Sequence, residues 1–162
     1  MLCYDNSQML IRRIDLMPNH KPLTLTSPRQ RQGSRFENQA CEFLQAQGLR
    51  VVVQNWQQPK VGELDLVMLE TGSAWSTLVF IEVRQRKRSV YGDAALSVTP
   101  SKQRKLIKSA QYFLQQHPEY AHYDCRFDVI AYNTTGTMNP KNVRLDNQPE
   151  WIQGAFIANA WS

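Results

Sequence analysis

The chain has 162 residues, 42% hydrophobic and 20% charged, which suffices for one domain with a sizeable core and argues against two. Its net charge of +5 points to a polyanionic partner, nucleic acid first and an anionic membrane surface second. Cys3, Cys41 and Cys125 are odd in number, far apart and outside any CxxC or Cys/His grouping, which argues against a disulfide framework or zinc site and fits reduced thiols in a cytoplasm.

No stretch is long and apolar enough to cross a membrane. Asp5, Arg12, Arg13 and Asp15 break the first apolar runs, so neither a signal peptide nor a membrane partner is expected. Residues 1–32 include PNHKPLTLTSPRQRQ, proline-rich and without period. They read as a flexible basic extension, either a disordered leader or an arm that touches nucleic acid. The folded domain is expected over residues 33–162.

Ser34-Arg35-Phe36-Glu37 has the spacing of a capping box and predicts a helix start. Phe36, Ala40, Phe43 and Leu44 then form a buried stripe, and Gly48 ends the helix. Residues 49–54 read as a first strand, 55–60 as a loop, 61–69 as a second strand and 70–73 as a turn. Residues 78–84 read as a third strand, antiparallel to the second. Thr99-Pro100 is an N-cap followed by proline at the first helical position, and the helix should run to about His117. Leu106, Ile107, Ala110, Phe113 and Leu114 are its apolar stripe, while Lys102, Arg104, Lys105 and Lys108 crowd its first half. Residues 125–132 read as a fourth strand, followed by a polar loop at 134–142, a short strand at 143–145 and a turn or helix from Glu150. The order is α-β-β-β-α-β, one mixed α/β domain.

GELDLV at 62–67 and VFIEVRQRKR at 79–88 place carboxylates in apolar strands, where a charge is costly unless it is paired or bound to a cation. Strand alternation puts Glu63, Asp65 and Val67 on one face and Leu64, Leu66 and Met68 on the other, with Phe80, Glu82 and Arg84 sharing a face of the next strand. If the strands pair, Asp65 and Glu82 can converge. Two close carboxylates with no histidine nearby suit Mg²⁺ or Mn²⁺ rather than zinc, and acids around a hard metal with a basic group alongside suit phosphodiester hydrolysis. The same acids can instead form salt bridges with Arg84, Arg86 or Arg126, and Glu37 can be a simple helix cap. Arg86, Lys87, Arg88, Lys102 and Lys105 cluster just past the acids and at a helix start. They are either solvated charge or a grip on nucleic-acid phosphates; cations at a helix N-terminus oppose its dipole, which favours the grip.

G-x-x-x-E at 33–37, GELD at 62–65, FIEVRQR at 80–86, YGDAALSV at 91–98, Lys102, RFDV at 126–129 and EW…AF at 150–156 together resemble the bacterial YraN family over about residues 33–156. The resemblance implies a restriction-endonuclease-like fold, a mixed sheet flanked by helices, similar to archaeal-type Holliday-junction resolvases. In that pattern a helical glutamate, an aspartate on the second strand and an E-x-K on the third build a Mg²⁺ site. Carried over, these positions are Glu37, Asp65 and Glu82-Val83-Arg84. The implied activity is a Mg²⁺- or Mn²⁺-dependent endonuclease on structured or branched DNA. The alternative is a nucleic-acid-binding module on the same fold without turnover. Arg84 departs from the pattern: lysine can lose a proton, whereas arginine stays charged and cannot be a general base. Symmetric cutting of a junction would favour a homodimer.

Overall fold

The computed structural model describes residues 28–87, 98–134 and 149–158. Helix α1 spans Pro28–Ala46, then come β1 (Arg50–Gln58), β2 (Gly62–Thr71), β3 (Ser76–Lys87), α2 (Pro100–Gln116), a 3₁₀ turn (Pro118–Tyr120), β4 (Asp124–Thr134) and β5 (Glu150–Phe156). The strands form one sheet in sequence order, antiparallel throughout except for β3 and β4, which are parallel. A parallel pair needs a crossover connection, and α2 lies within it. This is the α/β arrangement expected, consistent with a restriction-endonuclease-like core.

Two apolar layers sandwich the sheet. Phe36, Ala40 and Leu44 of α1 pack with Leu66, Met68, Val79, Ile81 and Ile130 on one face. Leu106, Ala110 and Phe113 of α2 pack with Leu64, Val67, Phe80, Phe127 and Val129 on the other. Helix α2 has the expected ends: Thr99 Oγ1 accepts the Lys102 N–H at 3.3 Å, and the His117 N–H closes the last turn on the Leu114 carbonyl at 3.2 Å. Helix α1 ends on Gly48, whose φ of 94° is readily reached only by glycine.

Four expectations change. Helix α1 starts at Pro28, not at a Ser34 cap. Proline lacks the N–H that a first helical residue would leave unpaired, and the Arg-Gln-Arg-Gln run after it favours helix. Strand β1 continues past residue 54 to Gln58, because the pairs Trp56↔Leu64, Gln57↔Glu63 and Gln58↔Gly62 extend the ladder through a polar segment. Residues 150–156 form a strand rather than a turn or helix, since β4 offers an edge and Ile130↔Trp151 and Val129↔Ile152 pair on it. Strand alternation also fails in β2: Leu64 packs in the same layer as Val67, opposite Leu66 and Met68. The expected loop and short strand at 135–145 and residues 1–27 of the extension lie outside the described residues, as does the YGDAALS stretch.

Candidate functional site

The irregularity in β2 is what builds the site. The β2–β3 ladder ends at Leu66↔Ile81, yet β2 stays paired with β1 down to Gly62 and β3 stays paired with β4 out to Lys87. The sheet therefore forks. Asp65 sits at the fork, and its carboxylate accepts the Val83 N–H at 2.8 Å, in place of the strand backbone that would otherwise have met it. Opposite Asp65, between the pairs Gln54↔Leu66 and Trp56↔Leu64, stands Asn55 with a φ of 52°. Asparagine tolerates that left-handed conformation better than other side-chain-bearing residues. At this level both strands exchange the face they present: Val53 and Val67 pack in the α2 layer above it, and Trp56 and Leu64 pack in the same layer below.

Glu82 enters the fork from β3. It is only 4% exposed and shares the α2-facing side of β3 with Phe80. Arg84 Nη1 donates a long bond of 3.5 Å to its Oε1. Lys102 Nζ lies 3.2 Å from its Oε2 and 3.7 Å from Glu63 Oε1. The ammonium pairs with the buried Oε2 by charge, without a well-aligned hydrogen bond. Burial, then the neighbouring Asp65 charge, push the Glu82 carboxyl up to about 7 against the pull of Lys102 and Arg84. Asp65 is raised too, chiefly by burial, with the Val83 N–H and Lys102 opposing.

Glu37 reaches the fork from the other layer. Its carboxyl is raised by burial and then by Asp65, while the Asn55 amide stabilises its charge with a hydrogen bond. Glu37 and Glu82 thus approach Asp65 from the α1 and α2 sides of the sheet rather than from one face, because the fork opens a passage that an unbroken sheet would close. Arg84 and Lys102 join the acids. Lys105 is exposed one helical turn beyond Lys102. Arg86 and Lys87 close β3, and Arg88 lies outside the described residues. Among the described residues, no three Asp, Glu, His or Cys side chains are grouped tightly enough to hold a metal ion as they stand.

Reading the sequence missed Asn55, which fell in an expected loop, and missed Lys102 as a partner of the acids. The second had a signal: a lysine three residues into a helix works against the dipole and calls for another use. Gly62 sets the approach of α2, since a Cβ there would collide with Ser109 Oγ. The RFDV and EW motifs do something different. Asp128 is 1% exposed and accepts Arg126 Nε at 2.8 Å, Arg126 Nη2 at 3.0 Å, Trp151 Nε1 at 3.0 Å and the Gly154 N–H at 2.9 Å. Arg126 Nη1 also donates to Glu70 at 2.6 Å. These residues clamp β5 to β4. Cys41 and Cys125 are free thiols. No described helix is long and apolar enough to cross a membrane.

The fold and site define a mixed α/β protein with a nuclease-like core whose carboxylates meet at a forked sheet. The chain belongs to the family described as "Uncharacterised protein family UPF0102", whose model matches residues 36–132, and this is the YraN family. A UPF0102 protein of Psychrobacter cryohalolentis is 67% identical over 99% of this chain and 100% of its own length. Another from Pseudomonas syringae pv. tomato is 47% identical over 80% of this chain and 95% of its own, and one from Francisella tularensis is 38% identical over 76% and 92%.

Proposed function

We propose that this protein is a metal-dependent endonuclease that hydrolyses phosphodiester bonds in structured or branched DNA. The observation that carries the reading is the meeting of Asp65 and the buried Glu82 at the fork, where Lys102 and Arg84 only partly offset the cost of burying the charge. Asp128, by contrast, is satisfied by four aligned hydrogen bonds. An all-oxygen donor set, with a buried carboxylate oxygen already facing a cation, fits a hard divalent ion, Mg²⁺ or Mn²⁺. Asp65 and Glu82 would hold it, with Glu37 beside Asp65 as a third or water-mediated contributor. When bound, such an ion neutralises phosphate charge and makes the attacking water more acidic.

The chain's own cations do the rest. Arg84 sits on the Glu82 side of the fork, where a permanently charged guanidinium can orient a phosphate and stabilise charge in the transition state but cannot take a proton. Lys102 and Lys105 extend positive charge from the site along α2, and the sequence adds Arg86, Lys87 and Arg88 at and after the end of β3. Contacts of this kind release counterions, so DNA affinity should fall steeply with salt.

The test is a cleavage screen on linear, flapped and four-way-branched DNA and on RNA, with Mg²⁺ or Mn²⁺. Cutting of branched DNA by the wild type, lost in Asp65→Ala with DNA binding retained, supports the reading. No cutting by wild type or Arg84→Lys, with salt-sensitive DNA binding intact, leaves a nucleic-acid-binding module without turnover. Arg84 is the residue that favours this second reading.

A further inference from the structure

The position of Lys102 goes beyond a grip on DNA. Its side chain is 26% exposed, between the nearly buried Glu82 and the open Glu63, and its charge also acts on Asp65. Three carboxylates therefore share this ammonium, with Arg84 the other cation at the fork. The contact with Glu82 Oε2 is a 3.2 Å ion pair, so the ammonium sits at an oxygen that a metal ion would use. An ammonium is a compact point charge on a flexible four-carbon stem, able to leave a carboxylate without dragging backbone along. Its place in the first turn of α2 brings the helix no electrostatic gain.

We propose that Lys102 is the resident counter-cation of the site: it holds the place of the divalent ion and is drawn away by a nucleic-acid phosphate, so that metal and DNA bind cooperatively. The inference rests on the reading of Asp65 and Glu82 as cation ligands. A divalent ion and Lys102 compete for the same oxygens, since each is repelled by the other's charge. A phosphate that pairs with Lys102 removes the competitor and frees Glu82 and Glu63. Coupling of this kind is reciprocal, so DNA tightens the ion by the factor by which the ion tightens DNA. The metal is thereby held weakly until substrate arrives.

The test is a calorimetric titration of Mn²⁺ into wild type, Lys102→Gln and Lys102→Arg, each alone and with a phosphorothioate-protected DNA junction, corrected for Mn²⁺ bound by the DNA itself. Lys102→Gln alone should bind Mn²⁺ about five- to tenfold more tightly than wild type, and Lys102→Arg, which keeps the charge, should match wild type. DNA should tighten Mn²⁺ about tenfold in wild type and several-fold less in Lys102→Gln. Unchanged or weaker Mn²⁺ binding by Lys102→Gln overturns the inference, as does equal coupling in both proteins. Wild-type coupling is measured without any substitution, so its absence overturns the inference even if a variant fails to fold. Failure of both proteins to bind Mn²⁺ overturns the inference together with the metal reading. DNA cleavage by wild type with unchanged Mn²⁺ affinity in Lys102→Gln overturns the inference alone.

Discussion

Glu82 and Asp128 are both buried carboxylates, on adjacent parallel strands, and they are solvated by the protein in opposite ways. Asp128 accepts four aligned hydrogen bonds, while Glu82 Oε2 has only the Lys102 ion pair at 3.2 Å. A buried carboxylate without well-aligned donors keeps part of its desolvation cost. Asp128 is built for stability; under the proposed reading Glu82 is kept for a cation.

The pH dependence of stability follows from Glu82. Its carboxyl lies near 7 in the folded chain against 4.5 as a free side chain, so the folded state binds the extra proton between those values. Stability from this group is complete below about 4.5 and is lost as pH rises through about 7. Glu82→Gln should flatten that part of the Tm–pH curve and be more stable than wild type at pH ~8, by up to about 3 kcal/mol. Mg²⁺ should raise the wild-type Tm more at pH ~8 than at pH ~6, because it offsets the repulsion that protonation otherwise removes. Thermal melts of both proteins across this range, with and without Mg²⁺, check both statements.

Asp128→Ala should cost about 3–5 kcal/mol, since it removes the acceptor of four hydrogen bonds and leaves Arg126 with Glu70 alone among these carboxylates. Trp151→Phe removes a single bond and should cost about 1–2 kcal/mol. Urea unfolding measures both, and Mn²⁺ affinity should be unchanged in Trp151→Phe, which leaves the fork intact.

Asn55 carries a backbone and a side-chain role that substitutions separate. Asn55→Ala should lose about 1–3 kcal/mol through its positive φ. Asn55→Gly keeps the backbone freedom and loses the hydrogen bond to Glu37. The glycine variant should therefore melt closer to wild type than the alanine variant while Glu37 titrates at higher pH, which carboxyl-carbon NMR reads directly.

The elements were legible where local chemistry and tertiary pairing agree. Thr99-Pro100 caps α2 as its sequence says, and the apolar stripes of α1 and α2 face the sheet. Legibility failed where a partner strand decides. The run NWQQ looks like loop by composition, but β2 pairs with it. The WIQGAF segment looks ambiguous until β4 supplies an edge. Asp65 and Glu82 were visible as acids in apolar strands, because that misfit needs a reason. The fork that lets Glu37 and Glu82 reach Asp65 from two layers was invisible, since it depends on one left-handed asparagine and on where a ladder stops.

Arg84→Lys restores a side chain able to release a proton where arginine cannot. Under the nuclease reading it should raise the single-turnover cleavage rate or shift its pH profile, with DNA affinity little altered. An unchanged rate and profile would mean that position 84 acts only through its charge.

Anomalous scattering from crystals grown with Mn²⁺ and a DNA junction tests the cation site most directly. The account predicts a Mn²⁺ peak in contact with Glu82 Oε2 and an Asp65 carboxylate oxygen, with Lys102 turned from Glu82 onto a phosphate. No peak at the fork, with Lys102 still against Glu82 beside bound DNA, would contradict it.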